Sequence, residues 1–265
     1  MNTIPAASRP PVSRNAANPR NLIAVASGKG GVGKTWFSIT LVHALARAGR
    51  RVLLFDADLG LANVDIQLGL MPPRDLGSVL AGRITLSQAV FEYEPGGFGI
   101  IAGRSGMGSL ASLPANRLVE LGHGLAELAA DYDYVVMDLG AGLERTVRQF
   151  TAQAGICLVM TTDEPTALTD AYAFIKVTKT ENPGSDLRLV VNLAANRREG
   201  ERTFGTLRKA CQGFLKFTPP LAGIVRRDSR VKDSIRNQTA LLTRYPNGEA
   251  ATDVEAIAMR IDTKS

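Results

Sequence analysis

From Gly28 to Thr35 the sequence reads G-K-G-G-V-G-K-T, a spacing that suits one kind of chemistry, the holding of phosphate. Gly28, Gly30, Gly31 and Gly33, with Val32 between the last two, free the backbone to turn its N–H groups inward around an anion. Lys34 can then reach the outer phosphates, Thr35 can offer its hydroxyl to Mg²⁺, and the helix that starts there adds partial positive charge. The pattern fits GxxxxGK[ST] and lies between an apolar run and a helical stretch, the context such a loop needs. A nucleotide with Mg²⁺ is the expected ligand. Two neighbours count with the nucleotide-binding residues although the motif does not require them: Lys29, a second lysine ahead of Lys34, and Trp36, directly after the threonine.

A phosphate loop also needs a carboxylate on a neighbouring strand for the metal shell, and YVVMDLGAG supplies Asp138 at the end of an apolar run. Gly140 and Gly142 then give a loop free to move with the terminal phosphate. A third stretch, FDADLGLANVD, follows the apolar run RVLLF and carries Asp56, Asp58 and Asp65. Only one of Asp56 and Asp58 need face the phosphates and orient the attacking water, while the other supports the metal shell or the loop. Asp65 reads as a turn or cap residue.

These side chains can act together only if strands deliver them to one edge. The runs LIAVAS, RVLLF, FGIIAG, YVVMDL, ICLVMTT, LRLVVNL and LAGIVRR are continuous rather than alternating, as strands buried on both faces are. Helical stretches separate them, among them Lys34 to about Ala48, PANRLVELGHGLAELAADY and EPTALTDAYAFIKVTK. The alternation predicts an α/β three-layer sandwich, with a mostly parallel sheet of about seven or eight strands and helices on both faces. Ligands of such sheets bind at the carboxyl ends of the strands, where the loops after LIAVAS, RVLLF and YVVMDL must lie.

The 265 residues suit one domain from residue 21 to 265, preceded by a flexible basic tail at 1–20 with four prolines, three arginines and no acidic residue. A composition 45% hydrophobic and 21% charged is that of a soluble globular chain. Cys157 and Cys211 form no CxxC pair, and His43 and His123 have no partner at ligand spacing, which weighs against a disulfide scaffold, a zinc site or a cluster. No membrane span or signal peptide is legible, so the cytoplasm is the expected compartment. The net charge of +6 is concentrated between Arg188 and Arg236, where twelve Lys/Arg face four Asp/Glu. That block suits nucleic acid, anionic lipid or another acidic partner, and equally suits ordinary solvated helix faces.

The combination of KGGVGKT with Lys29, then DADLGLANVD, then DLGAG, resembles the deviant Walker A group of P-loop ATPases that includes the MinD and ParA proteins. The resemblance covers nearly the whole chain from Leu22 onward. It implies ATP as the nucleotide, and Lys29 as a lysine that reaches across a homodimer to the partner's phosphates. It further implies that Asp58 positions the hydrolytic water, that Asp56 supports the magnesium site, and that Asp138 is the metal-side aspartate. Asn192, at the end of LRLVVNL, matches the group's adenine-contacting asparagine. Within the group, DADLGLANVD, DLGAGL and TTDEPTALTDAYAFIK are similar to the flagellar-number regulators called FlhG or FleN. This implies partners such as a flagellar signal-recognition-type GTPase, a switch-ring protein or a transcription activator.

The chain departs from that pattern in places. Residues 1–20 lack the motif beginning Asp-Gln-Ala that stimulates the partner GTPase, Arg226 stands where relatives have proline, and Trp36 replaces a smaller residue. Val254, Ile257, Ala258 and Ile261 fall at helical spacing, which predicts an amphipathic helix at 250–262. With no aromatic residue and no basic face, it reads as a helix docked on its own domain, peripheral contact with the inner membrane face or the cell pole being the alternative. The leading function is an ATP-dependent dimerising switch. The alternatives are a MinD-like division-site ATPase, a ParA-like ATPase that rides on DNA, and a nucleotide-stabilised anti-activator with negligible hydrolysis.

Overall fold

A computed structural model of the protein describes residues 21–58, 60–103 and 113–263. The proposed tail at 1–20 lies outside the described residues. The strands are β1 (Leu22–Ser27), β2 (Val52–Ala57), β3 (Phe91–Tyr93), β4 (Phe98–Ile101), β5 (Tyr134–Ala141), β6 (Ile156–Thr161), β7 (Leu187–Ala194) and β8 (Leu221–Arg226). They form one sheet in the order β3-β4-β2-β5-β1-β6-β7-β8. Only β3 runs antiparallel, paired with β4 at the edge. It is the strand the apolar runs did not signal, since three residues are too few to show a period.

The helices are α1 (Lys34–Arg47), α2 (Val64–Leu68), α3 (Leu76–Leu80), α4 (Leu86–Ala89), α5 (Ala115–Ala129) and α6 (Arg145–Gln153). They continue with α7 (Pro165–Glu181), α8 (Arg197–Ala210), α9 (Ser229–Arg236), α10 (Leu241–Arg244) and α11 (Glu249–Asp262). A π-helical turn, Cys211–Leu215, extends α8.

The continuous apolar runs are explained by two cores, one on each face of the sheet. Ile23, Val25, Val52, Leu54 and Val190 enter one core. Their sequence neighbours Leu22, Ala24, Leu53, Phe55 and Leu189 enter the other. Each strand therefore feeds both sides by simple alternation, and positions away from the carboxyl ends are almost all apolar. On the first face α1 is buried nearly all round, from Trp36 to Leu45, because α11 packs over it. Phe37, Leu41 and Leu45, all at 0% exposure, are each worth about 1.5–3 kcal/mol of transfer free energy.

The C-terminal amphipathic helix is present as α11, and its apolar face is already covered: Val254, Ile257, Ala258 and Ile261 are buried against α1 and β8. Arg226 helps hold it there. Its guanidinium donates to the buried carboxylate of Asp253 at 2.8 and 3.0 Å and to Glu249 at 2.6 Å. Arg226 thus clamps α11 to β8.

In this strand order β1 lies between β5 and β6: the chain leaves β1 toward β2 on one side and later passes from β5 to β6 on the other, so the winding reverses at β1. A crevice opens at the carboxyl ends of the strands at such a reversal. The loop Gly28–Gly33 occupies it, with Gly142 N–H bonded to the Ser27 carbonyl at 2.9 Å.

Candidate functional site

A cavity of about 1270 Å³ lies at this edge, floored by Gly30, Gly31, Gly33, Lys34 and Thr35. Gly31 and Gly33 hold φ of +78° and +93°, a left-handed backbone that glycine takes without strain. At Gly33 space also forbids a side chain, since a Cβ there would stand 2.5 Å from Trp36 Nε1 and 2.6 Å from Asn192 Nδ2. At Gly28 a Cβ would collide with the backbone of Asp170, so α7 packs directly against the start of the loop.

Lys34 is buried beneath the loop, where its Nζ donates to Ser27 Oγ at 3.1 Å. Burial lowers its pKa, and the Asp138 and Asp58 charges oppose that shift. Asp138 is buried at the end of β5, accepts from Ser38 Oγ at 3.0 Å and is hydrogen-bonded by Thr35. Burial pushes its carboxyl up to about 6, against the hydrogen bonds and the Lys34 charge. Ser38 was not singled out in the sequence, although its place one helical turn beyond Thr35 on α1 puts it on the same face.

Asp56 sits beside Asp138 across the β2–β5 pairing and is fully buried. Burial, reinforced by the Asp138 charge, raises its pKa well above the usual carboxylate range. Its oxygens accept backbone N–H groups from Asp58 at 3.2 Å, Asn63 at 3.2 Å and Val64 at 3.3 Å. Asp56 thereby shapes the loop after β2. Asp58, just past the strand, lines the cavity, accepts from Leu61 N–H at 3.0 Å and faces Gly140. Asp65 accepts from the Ile66 N–H at 2.8 Å, a local turn contact.

Lys29 does not line the cavity. Its Nζ reaches Glu164 Oε2 at 2.6 Å and Thr166 Oγ1 at 2.8 Å, at the start of α7. Glu164-Pro165-Thr166, within the stretch TTDEPTALTDAYAFIK, is thus the seat of the extra lysine. Asn192 stands behind the loop rather than on the cavity lining: it is fully buried and donates from Nδ2 to the Val32 carbonyl at 2.7 Å. Its neighbour Leu193 lines the cavity, together with Trp36, Arg227, Val231 and Ile235. Trp36 is among the residues the sequence offered for nucleotide binding, whereas Leu193, Arg227, Val231 and Ile235 escaped that reading because no motif spacing links the β7 and β8 ends to the loop.

Among the described residues no group of three or more His, Cys, Asp or Glu is arranged to hold a metal. A cation at Thr35 and Asp138 would therefore draw most of its ligands from phosphate and water, as Mg²⁺ does in nucleotide sites. The glycine cradle, the buried lysine and this spare oxygen set fit a magnesium-bound nucleotide. No helix among the described residues is long and apolar enough to cross a membrane.

Fold and site together define a nucleotide-binding α/β protein of the P-loop kind. Residues 23–241 match the family described as the CobQ/CobB/MinD/ParA nucleotide binding domain. The chain belongs to that family and is an ATPase switch of the MinD/ParA type. It is 37% identical to Antiactivator FleN of Pseudomonas aeruginosa, over 93% of this chain and 88% of that protein. It is 32% identical to Flagellum site-determining protein YlxH of Helicobacter pylori, over 89% of this chain and 80% of that protein. Among solved structures, septum site-determining protein MinD of Pyrococcus horikoshii, complexed with Mg-ADP, superposes with a TM-score of 0.77 at 22% identity, covering 92% of this chain and 96% of that one.

Proposed function

We propose that the protein controls the number or placement of flagella by closing into a homodimer on ATP, binding a partner protein in that state, and releasing it when ATP is hydrolysed to ADP and phosphate. The likeness to FleN and YlxH supports the flagellar role, and the relative's being an antiactivator favours a transcription activator as the partner over a GTPase or a switch-ring protein. The observation that carries the dimer is the division between two lysines. Lys34 is buried in its own cavity, whereas Lys29 stands outside that cavity on Glu164 and Thr166. We take this placement outside its own cavity as support for a lysine that serves the nucleotide of another subunit.

In this reading the backbone of Gly28 to Trp36 cradles the phosphates and Lys34 stabilises the charge that builds up as the terminal phosphoryl leaves. Thr35 and Asp138 would hold Mg²⁺, which when bound neutralises phosphate charge, and Asp56 keeps the loop after β2 in place. Asp58 orients the attacking water and accepts its proton. Asn192 supports Val32 and Gly33 from behind and thereby the adenine side of the site. Lys29 adds positive charge from the facing subunit, so that turnover waits on dimerisation.

The cytoplasm is the proposed compartment. Any peripheral membrane contact would have to use a surface other than α11, whose apolar face is occupied. A DNA-riding role is not favoured, because part of the basic block is tied up internally: Arg188 pairs with Asp186, and Arg197 and Arg226 with Asp253.

Light scattering and phosphate release with MgATP test the scheme in one series. Wild type should dimerise and turn over, Lys29→Ala should bind ATP but stay monomeric, and Asp58→Ala should dimerise without turnover. An ATP-dependent Lys29→Ala dimer as tight as wild type would remove the cross-subunit role. Equal inertness of wild type and Asp58→Ala would leave only a binding module.

A further inference from the structure

Beyond the phosphate loop the cavity is lined by Trp36, Leu193, Val231 and Ile235, interleaved with Arg227, Asp228, Ser229 and Lys232. Trp36 occupies the first turn of α1, is only 8% exposed, and meets the fully buried Phe37 edge to face at 6.4 Å between centroids. Its position is fixed on the other side by the phosphate loop, because indole Nε1 comes within 2.5 Å of where a Gly33 Cβ would stand. A rigid aromatic surface therefore begins where the phosphate cradle ends. A ligand that carries phosphates and then a flat, largely apolar ring is a nucleotide seen from its phosphate end.

We propose that Trp36 is the base-selecting residue of this chain: its indole receives the face of the nucleobase and favours a purine, with its larger ring system, over a pyrimidine. The inference rests on the nucleotide-binding reading and adds to it which side chain discriminates among nucleotides. The loop holds phosphate whatever the base, so Trp36 acts on base preference and leaves phosphate affinity alone. Stacking scales with overlapped area, which is larger for a purine than for a pyrimidine.

Trp36 is the single tryptophan of the chain, so its emission reports on this surface directly. Titration of the full chain with MgADP should change the emission, whereas inorganic tripolyphosphate with Mg²⁺, which has no base, should bind and leave it nearly unchanged. By calorimetry, Trp36→Leu should weaken MgADP about ten-fold, narrow the preference for ADP over CDP, and hold tripolyphosphate affinity within about two-fold. Trp36→Phe, which keeps a ring, should stay within about three-fold of wild type for ADP.

Unchanged ADP affinity in Trp36→Leu would overturn the proposal, and so would an equal loss for tripolyphosphate. If Trp36→Leu does not fold, wild-type emission that is silent to bound ADP overturns it instead. The two levels of the argument separate cleanly. No MgADP binding by wild type sinks the nucleotide reading, whereas normal binding with a silent Trp36 sinks only its role in base selection.

Discussion

Replacing Glu164 by glutamine should tighten the ATP-bound dimer rather than weaken it. In the single chain Lys29 is engaged by Glu164 at 2.6 Å and Thr166 at 2.8 Å, contacts it must leave to reach a nucleotide in another subunit. The pair is not a strong one. The side chains are 36% and 62% exposed, and exposed ion pairs contribute about 0.2–1 kcal/mol, so with one pair released in each subunit Glu164→Gln should lower the dimer dissociation constant roughly two- to thirty-fold. Sedimentation equilibrium in saturating MgATP, on an Asp58→Ala background that keeps ATP intact, measures the constant directly. The gain should fade at high salt, where the screening length falls to about 3 Å, and should vanish when Lys29 is already alanine. A weaker dimer in Glu164→Gln would show that the carboxylate works inside the dimer and not against it. A gain that survives in the Lys29→Ala background would show that it acts through something other than this lysine.

Asp138→Asn should stabilise the nucleotide-free protein while weakening its Mg²⁺-dependent nucleotide binding. Burial raises the Asp138 pKa from 3.8 to about 6, so between those values the folded state keeps a proton that the unfolded chain has released, and stability falls as pH rises through that window. At pH 7.5 the amide should recover up to about 3 kcal/mol, seen as a higher melting temperature that converges with wild type below pH 4. Arg226→Ala should destabilise the fold by about 3 kcal/mol, because it strips the main partner from the fully buried Asp253 carboxylate. The urea midpoint measures this, and Arg226→Met combined with Asp253→Leu should regain most of the loss.

Much of the fold and the phosphate end of the site was legible because each signal is local. Gly28 to Thr35 is one uninterrupted motif, and Asp138 follows an apolar run that only a doubly buried strand needs. The unread parts depend on residues far apart in sequence. Lys29 and Glu164 are 135 positions apart and meet only because α7 packs against the start of the loop. Arg226 and Asp253 meet because α11 folds back over β8. The net basic charge of 188–236 was counted correctly, but the count could not show which arginines face a carboxylate.

The sequence by itself determined the sandwich, the phosphate loop and the order of its acidic partners, since short-range spacing and burial patterns encode all three. Tertiary structure decided what each ambiguous side chain does. It set Asp56 to pin the loop after β2 and Asp58 to face the cavity, because β2 ends at Ala57 and the strand's alternation stops there. It placed Asn192 behind the loop and Leu193 on the cavity wall, and it buried the apolar face of α11. Chain adjacency put Trp36 at the end of the phosphate loop, and packing against Gly33 and Phe37 decided where its indole lies.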